Sequence, residues 1–145
     1  FNDIAKISLK EQEKEYVFLE LEELMSVSNF ISIHCDLNDS SFHLIDKEEF
    51  SLMDKDSIII NTSRGSIINE KELISALEED DIAGAGLDVY DTEPLPQDHK
   101  LRFLPNTLLL PHIGFVTEEN YSVFFSQMLE NLNFCLEGKP KRLLK

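Results

Sequence analysis

Nowhere does the chain hold the ~20 consecutive apolar residues that a membrane-spanning helix needs, so its sequence offers no span. The first residues, Phe1-Asn2-Asp3-Ile4-Ala5-Lys6, lack the charged-then-apolar layout of a secretory signal and do not begin with methionine. Either the start has been processed or the chain is a piece of something longer. Cysteine is scarce: Cys35 and Cys135 are far apart, with no CxxC or histidine-rich spacing beside them. That predicts no metal site and two free, mostly buried thiols in a reducing cytoplasm. Positive charge is scarce too, with 13 Lys and Arg against 28 Asp and Glu and a net charge of -15. Such a surface excludes non-specific nucleic-acid binding and an anionic membrane as partner. It does not select a substrate, because acidic surfaces are ordinarily just solvated ones.

What remains is globular. A chain of 145 residues, 42% apolar and 28% charged, supports one domain and one buried core. Short β-branched runs alternate with amphipathic stretches, the pattern of a parallel α/β sheet. The predicted strands are Phe30–His34, Ser57–Asn61, Ala85–Val89 and Thr107–Leu110, with a weaker one at Tyr16–Phe18. The second and fourth are unbroken apolar runs, which predicts helices on both faces of the sheet. Asp46 with Glu49, and Asn69 with Glu72, read as capping boxes. Thr117 caps a last helix carrying Tyr121, Phe124, Phe125, Met128, Leu132, Cys135 and Leu136 at three-and-four spacing, a predicted core face. Gly138 and Pro140 end it. Glu78-Glu79-Asp80-Asp81 sets four acids at a helix C-terminus, where the dipole disfavours them.

Ligands of open parallel sheets bind beyond the carboxyl ends of the strands, so the residues just past each strand carry the information. Asn61-Thr62-Ser63-Arg64-Gly65 follows the second strand, Tyr90-Asp91-Thr92-Glu93-Pro94 the third, and Pro111-His112-Ile113-Gly114 the fourth. One Arg, one Glu and one His are thus offered to the same edge. Reducing a 2-oxo acid needs a hydride donor, a proton donor and a cation for the substrate carboxylate. Histidine is easily poised as a proton donor near neutral pH. A carboxylate on its far ring nitrogen stabilises the charged ring and fixes its orientation. Arginine's planar fork fits a carboxylate and polarises the neighbouring carbonyl. Singly, each residue also has a plain structural reading: a strand-end histidine, a salt-bridging turn, the end of a loop. Their joint placement favours chemistry.

The strings Ile60-Asn61-Thr62-Ser63-Arg64-Gly65, Ala83–Pro96 and Pro105–Gly114 closely resemble the signatures of the D-isomer-specific 2-hydroxyacid dehydrogenases. The resemblance runs from about Leu21 to Leu143 and includes the tail Val116–Tyr121 and Gly138-Lys139-Pro140. It implies an α/β, Rossmann-like parallel sheet with flanking helices, lacking the first strands and the glycine-rich turn. Residues 1–115 would form a partial dinucleotide-binding domain, and 116–145 a closing helix that packs back toward an absent substrate domain. By the same resemblance Arg64 binds the substrate carboxylate and carbonyl, His112 is the acid/base and Glu93 its paired carboxylate. Cofactor contacts would come from His34, Cys35, Asp36, Thr62, Ser63, Arg64, Asp88, His112 and Gly114.

Two departures stand out. Asp36 replaces the proline usual in the turn after the first strand, which frees φ there and adds charge near an anionic cofactor. The G-x-G-x-x-G turn that seats a pyrophosphate is absent from the 145 residues. The resemblance implies NAD as cofactor with NADP left open, a small 2-oxo or 2-hydroxy acid as substrate, and a cytoplasmic homodimer for the complete protein. A cofactor-sensing corepressor of the same family, or an inactive fragment, is the alternative.

Overall fold

The computed structural model describes residues 1–3 and 16–143. They divide into two compact units, Phe1–His112 and Ile113–Lys145. The first holds α1 (Leu21–Val27), β1 (Phe30–Ile33), α2 (Lys47–Leu52), β2 (Ile58–Asn61), α3 (Glu70–Glu78), β3 (Gly84–Leu87) and β4 (Thr107–Leu109), and the second holds α4 (Glu118–Leu136). All strands are parallel, in the order β1-β2-β3-β4. Four of the five strands predicted from sequence are those of the sheet, each shortened or displaced by one or two residues at its ends.

The register brings Ile33, Asn61, Leu87 and Leu109 into one row. The loops that leave the four strands therefore emerge at a single edge. Strand order here matches chain order. With every crossover of the usual right hand, the connecting helices then fall on one face. The core shows this: Met25, Phe50, Leu73, Ala76 and Leu77 from the helices pack with Ile31, Ile33, Ile59, Ala85 and Leu87 of the strands. Leu101, in the last crossover, joins the same cluster. On the other face Phe30 and Leu108 are exposed and Ile58 and Ile60 half-buried. The unbroken apolar runs of β2 and β4 thus do not mean that both faces of this unit are covered by its own helices.

The helix starts differ from each other. Asp46 forms the predicted capping box, its N–H donating to Glu49 at 3.0 Å. Asn69 does start α3, but its side chain makes no cap. A bridge between Ile45 and Ile68 sets the two helix starts side by side, and the Asn69 amide donates to Asp46 Oδ1 at 3.1 Å instead. At the other end of α3, Asp80 takes the left-handed conformation, φ 56°. The Asp81 N–H then closes on the Ala76 carbonyl at 2.9 Å, so an acid fills the place glycine usually takes. Lys100 offsets part of that acidic end by pairing with Glu78 at 3.3 Å.

Tyr16–Phe18 is extended but joins no strand of the sheet. The Phe1 ammonium donates to the Val17 carbonyl and the Leu19 N–H to the Phe1 carbonyl, a pairing too short to form a ladder.

In the second unit Thr117 caps α4 by accepting the Asn120 N–H at 3.2 Å. Gly138, at φ 72°, ends it: its N–H donates to Cys135 and that of Lys139 to Phe134. The stripe predicted as a core face is not one here. α4 buries no residue, and Phe124, Phe125, Met128 and Leu132 are all exposed. Cys135 is exposed as well and Cys35 half-buried, so the two free thiols are not the buried pair expected. No helix among the described residues is long and apolar enough to cross a membrane.

Candidate active site

The row of strand ends becomes a site because three loops are pressed together there. Asn61, the last residue of β2, shares the buried face with Ile59 and is itself 1% exposed. Its side chain shapes the adjoining loop: Oδ1 accepts the Ser63 N–H at 3.0 Å and Nδ2 donates to the Arg64 carbonyl at 2.8 Å. The Ser63 hydroxyl donates to the Cys35 carbonyl, tying this loop to the one after β1. On its other side Gly65 lies flush against the loop after β3. A Cβ on Gly65 would fall 2.1 Å from the Tyr90 carbonyl carbon. Only glycine allows that approach. Ser66 adds a hydrogen bond to Asp91 at 2.7 Å.

From the loop after β3, Glu93 reaches the end of β4. Its Oε2 stands 2.6 Å from His112 Nδ1, and its Oε1 accepts the Tyr90 N–H at 3.0 Å. The Glu93–Pro94 peptide is cis. His112 sits at φ 56°, in the left-handed region that non-glycine residues occupy at a cost and often at functional positions. Tyr90 spans the two strand ends beneath: its one hydroxyl hydrogen is shared between the carbonyls of Leu110 (2.8 Å) and Leu87 (3.1 Å). Burial pushes the Tyr90 phenol up, and the Asp88 charge adds to it, so the hydroxyl keeps the proton it donates.

Glu93 is pulled both ways. Partial burial works to raise its carboxyl, but the hydrogen bonds from His112 and from the Tyr90 N–H, with the His112 and Arg64 charges, hold it below the usual carboxylate range. An ionised carboxylate only accepts, so Nδ1 of His112 carries the hydrogen between them. Arg64 thus acts on Glu93 through its charge, while its own NH1 donates back to the Ser63 carbonyl at 2.6 Å.

Apart from Gly114, the residues expected to hold a cofactor line the same edge of the first unit. His34 is exposed, its Nε2 2.8 Å from Ser32 Oγ. Asp36 accepts from the Asn38 amide at 3.2 Å, so the aspartate that replaces a proline shapes its own turn. Burial, with the Asp36 and Asp3 charges, pushes the Cys35 thiol up and keeps it from acting as a thiolate. Thr62 is exposed, Ser63 half-buried, and Asp88 buried with its N–H on the Asn61 carbonyl at 3.0 Å. Gly114 belongs to the second unit. A cavity of about 90 Å³ beside the pair is walled by Tyr90, Pro94, Leu109 and Pro111 with Glu93 and His112. That is well below the ~300–1,000 Å³ of a cofactor pocket, so a dinucleotide would lie along the open strand ends and not in it.

Residues 2–114 match the family model described as the D-isomer specific 2-hydroxyacid dehydrogenase, NAD binding domain. The chain belongs to this family. It is 39% identical over 122 residues to a glyoxylate reductase of Korarchaeum cryptofilum, covering 84% of this chain and 37% of that one. It is also 39% identical to a glyoxylate/hydroxypyruvate reductase B of an Enterobacter, over 91% of this chain and 41% of the other. Among solved structures it resembles a D-lactate dehydrogenase of a Sporolactobacillus, with TM-score 0.81, 30% identity, 99% of this chain covered and 47% of that one. The chain therefore spans about two-fifths of the length of the curated relatives it matches.

An NAD-binding domain of this family implies a nicotinamide dinucleotide, and the residues fit one end of it. The strand ends combine exposed and half-buried hydroxyls with the buried carboxylate of Asp88, the donor and acceptor set that a ribose and a carboxamide need. The pyrophosphate seat is not among the 145 residues. The motifs past the strands point to Arg64, Glu93 and His112, whereas Asn61, Gly65 and Tyr90 stand in the same strings without a catalytic signal of their own. A polar residue at a position in phase with Ile59 was the available signal for Asn61.

Proposed function

We propose that the complete protein reversibly reduces a small 2-oxo acid to its D-2-hydroxy acid with NADH. The 2.6 Å contact between Glu93 and His112 Nδ1 carries this reading. With Nδ1 bonded to an ionised Glu93, His112 delivers its proton to the substrate oxygen through Nε2, and Glu93 stabilises the charged ring meanwhile. Arg64 takes the substrate carboxylate and polarises the carbonyl beside it. When bound, the dihydronicotinamide would supply the hydride. His34, Cys35, Asp36, Thr62, Ser63, Arg64, Asp88 and His112 would hold its nearer half, and the family resemblance adds Gly114.

The named relatives, reductases of glyoxylate and hydroxypyruvate, support a short 2-oxo acid as substrate. Glyoxylate is the first to test: NADH consumption by the complete protein, followed by absorbance, should depend on it. NADH that binds without being consumed on any of glyoxylate, hydroxypyruvate or pyruvate would overturn the reading. We also infer a cytoplasmic homodimer with no nucleic-acid or membrane partner. The net charge of -15 supports the exclusion of nucleic acid, and the apolar stripe of α4 supplies surface that an assembly would cover.

A further inference from the structure

We infer that Asn61 positions Arg64 for the substrate, by clamping the Thr62–Arg64 loop from below with both ends of its side-chain amide. This inference rests on the role proposed for Arg64. The residues around Asn61 on the buried face of the sheet are apolar: Ile59 on its own strand, Ala85 and Leu87 on β3. An amide buried there costs free energy unless both its ends are bonded. Both are, and both bonds go to the same loop. Oδ1 takes the Ser63 N–H at 3.0 Å, which sets the turn, and Nδ2 takes the Arg64 carbonyl at 2.8 Å, which closes it. Reversing the amide would set N–H against N–H and oxygen against oxygen, so the partners decide its orientation.

The loop is also held from both sides. Ser63 is tied to the Cys35 carbonyl and Gly65 is packed on the Tyr90 backbone. The Arg64 guanidinium donates to the Ser63 carbonyl, inside the same loop. The reach of the guanidinium is then set by the loop backbone, and the loop backbone by Asn61. Aspartate cannot replace asparagine here while ionised, because it has no donor for the Arg64 carbonyl. Protonated, it has one donor and one acceptor and can reproduce the clamp. Burial favours that neutral form, and so does the negative charge of Asp88, whose N–H bonds the carbonyl of residue 61 at 3.0 Å, while the nearby Arg64 opposes it.

The test uses the complete protein with NADH, and oxamate as the probe for a 2-oxo acid, binding being read by calorimetry. In Asn61→Asp near neutral pH, oxamate affinity should fall about tenfold or more relative to the parent, since small misplacements of a clamp are costly. NADH affinity, which His34, Cys35, Asp36 and Asp88 outside this loop would share, should fall clearly less than oxamate affinity. As pH falls, the ratio of variant to parent should approach one. Comparing the two at each pH cancels the titrations they share. If Asn61→Asp does not fold, Asn61→Ser with a near-parental melting temperature should show the same loss with no recovery at low pH. Without cofactor, the Ser63 amide of that variant should exchange its hydrogen faster than the parent's.

Parental oxamate affinity in these variants would overturn the inference. So would loss of NADH and oxamate in step, or a gap in Asn61→Asp that stays constant with pH. Arg64→Ala separates this from the underlying reading. If it leaves oxamate binding intact, the role of Arg64 is wrong and the inference goes with it. If it abolishes binding while the Asn61 variants bind normally, the inference about Asn61 fails alone.

Discussion

Gly65 and Tyr90 meet backbone to backbone: a methyl group on Gly65 would overlap the Tyr90 carbonyl, 2.1 Å from its carbon and 2.3 Å from its oxygen. The loop carrying Arg64 and the loop carrying Glu93 are thereby locked side by side. Tyr90 in turn donates its N–H to Glu93 and its hydroxyl to the β4 end beside His112. The three residues of the proposed mechanism hang on one close contact.

Gly65→Ala should therefore be costly twice over. Backbone cannot yield as the tip of a flexible side chain can, so unfolding in denaturant should show a loss of roughly 1–3 kcal/mol, as for other overpacked sites. The surviving native protein should bind the substrate more weakly than the parent, because the Arg64 loop has been pushed aside. Unchanged stability and unchanged KM together would show that the contact is not close in solution.

The depressed Glu93 carboxyl makes a pH prediction. A carboxyl held below its ordinary 4.5 in the folded protein contributes stability that is complete above 4.5 and disappears as pH falls through the lower folded value. Melting temperatures of the parent and Glu93→Gln should differ most near neutral pH and converge in acid below 4.5. Because Glu93 is about one-third exposed, the difference should be modest. A gap that widens in acid has the wrong sign.

Much of this was legible in advance. Four strand runs, the Asp46 and Thr117 caps and the Arg64, Glu93 and His112 trio come from periodicity and from the motifs past each strand. Three things were not legible. Asn69 reads as a capping box in sequence, yet the Ile45–Ile68 bridge gives its amide a nearer partner in Asp46, and no local pattern reports such a tertiary neighbour. The apolar runs of β2 and β4 report apolarity without saying which element covers it. Likewise, the amphipathic stripe of α4 shows which face seeks a partner, but not whether the partner lies among these residues.

Arg64→Lys tests the fork. Charge is kept and the paired N–H donors are lost, so kcat/KM for a 2-oxo acid should fall about tenfold or more, and NADH affinity, shared with several other residues, by much less. An equal fall in both would remove the substrate carboxylate as the main partner of the Arg64 fork.

The chain of 145 residues taken alone should bind NADH poorly, because it holds no glycine-rich turn for the pyrophosphate. Fluorescence titration should find no saturation in the micromolar range. Micromolar affinity would mean that the strand ends alone provide a phosphate seat.

The proton donor is the centre of the proposed mechanism, and one measurement reaches it directly: NADH-dependent reduction of glyoxylate by the complete protein with His112→Ala, with NADH binding measured on the same preparation. Turnover should drop by about 10²–10⁴, the range for loss of a general acid, with NADH affinity reduced far less because the other cofactor-holding residues remain. Turnover equal to the parent's, with NADH bound as before, would contradict it.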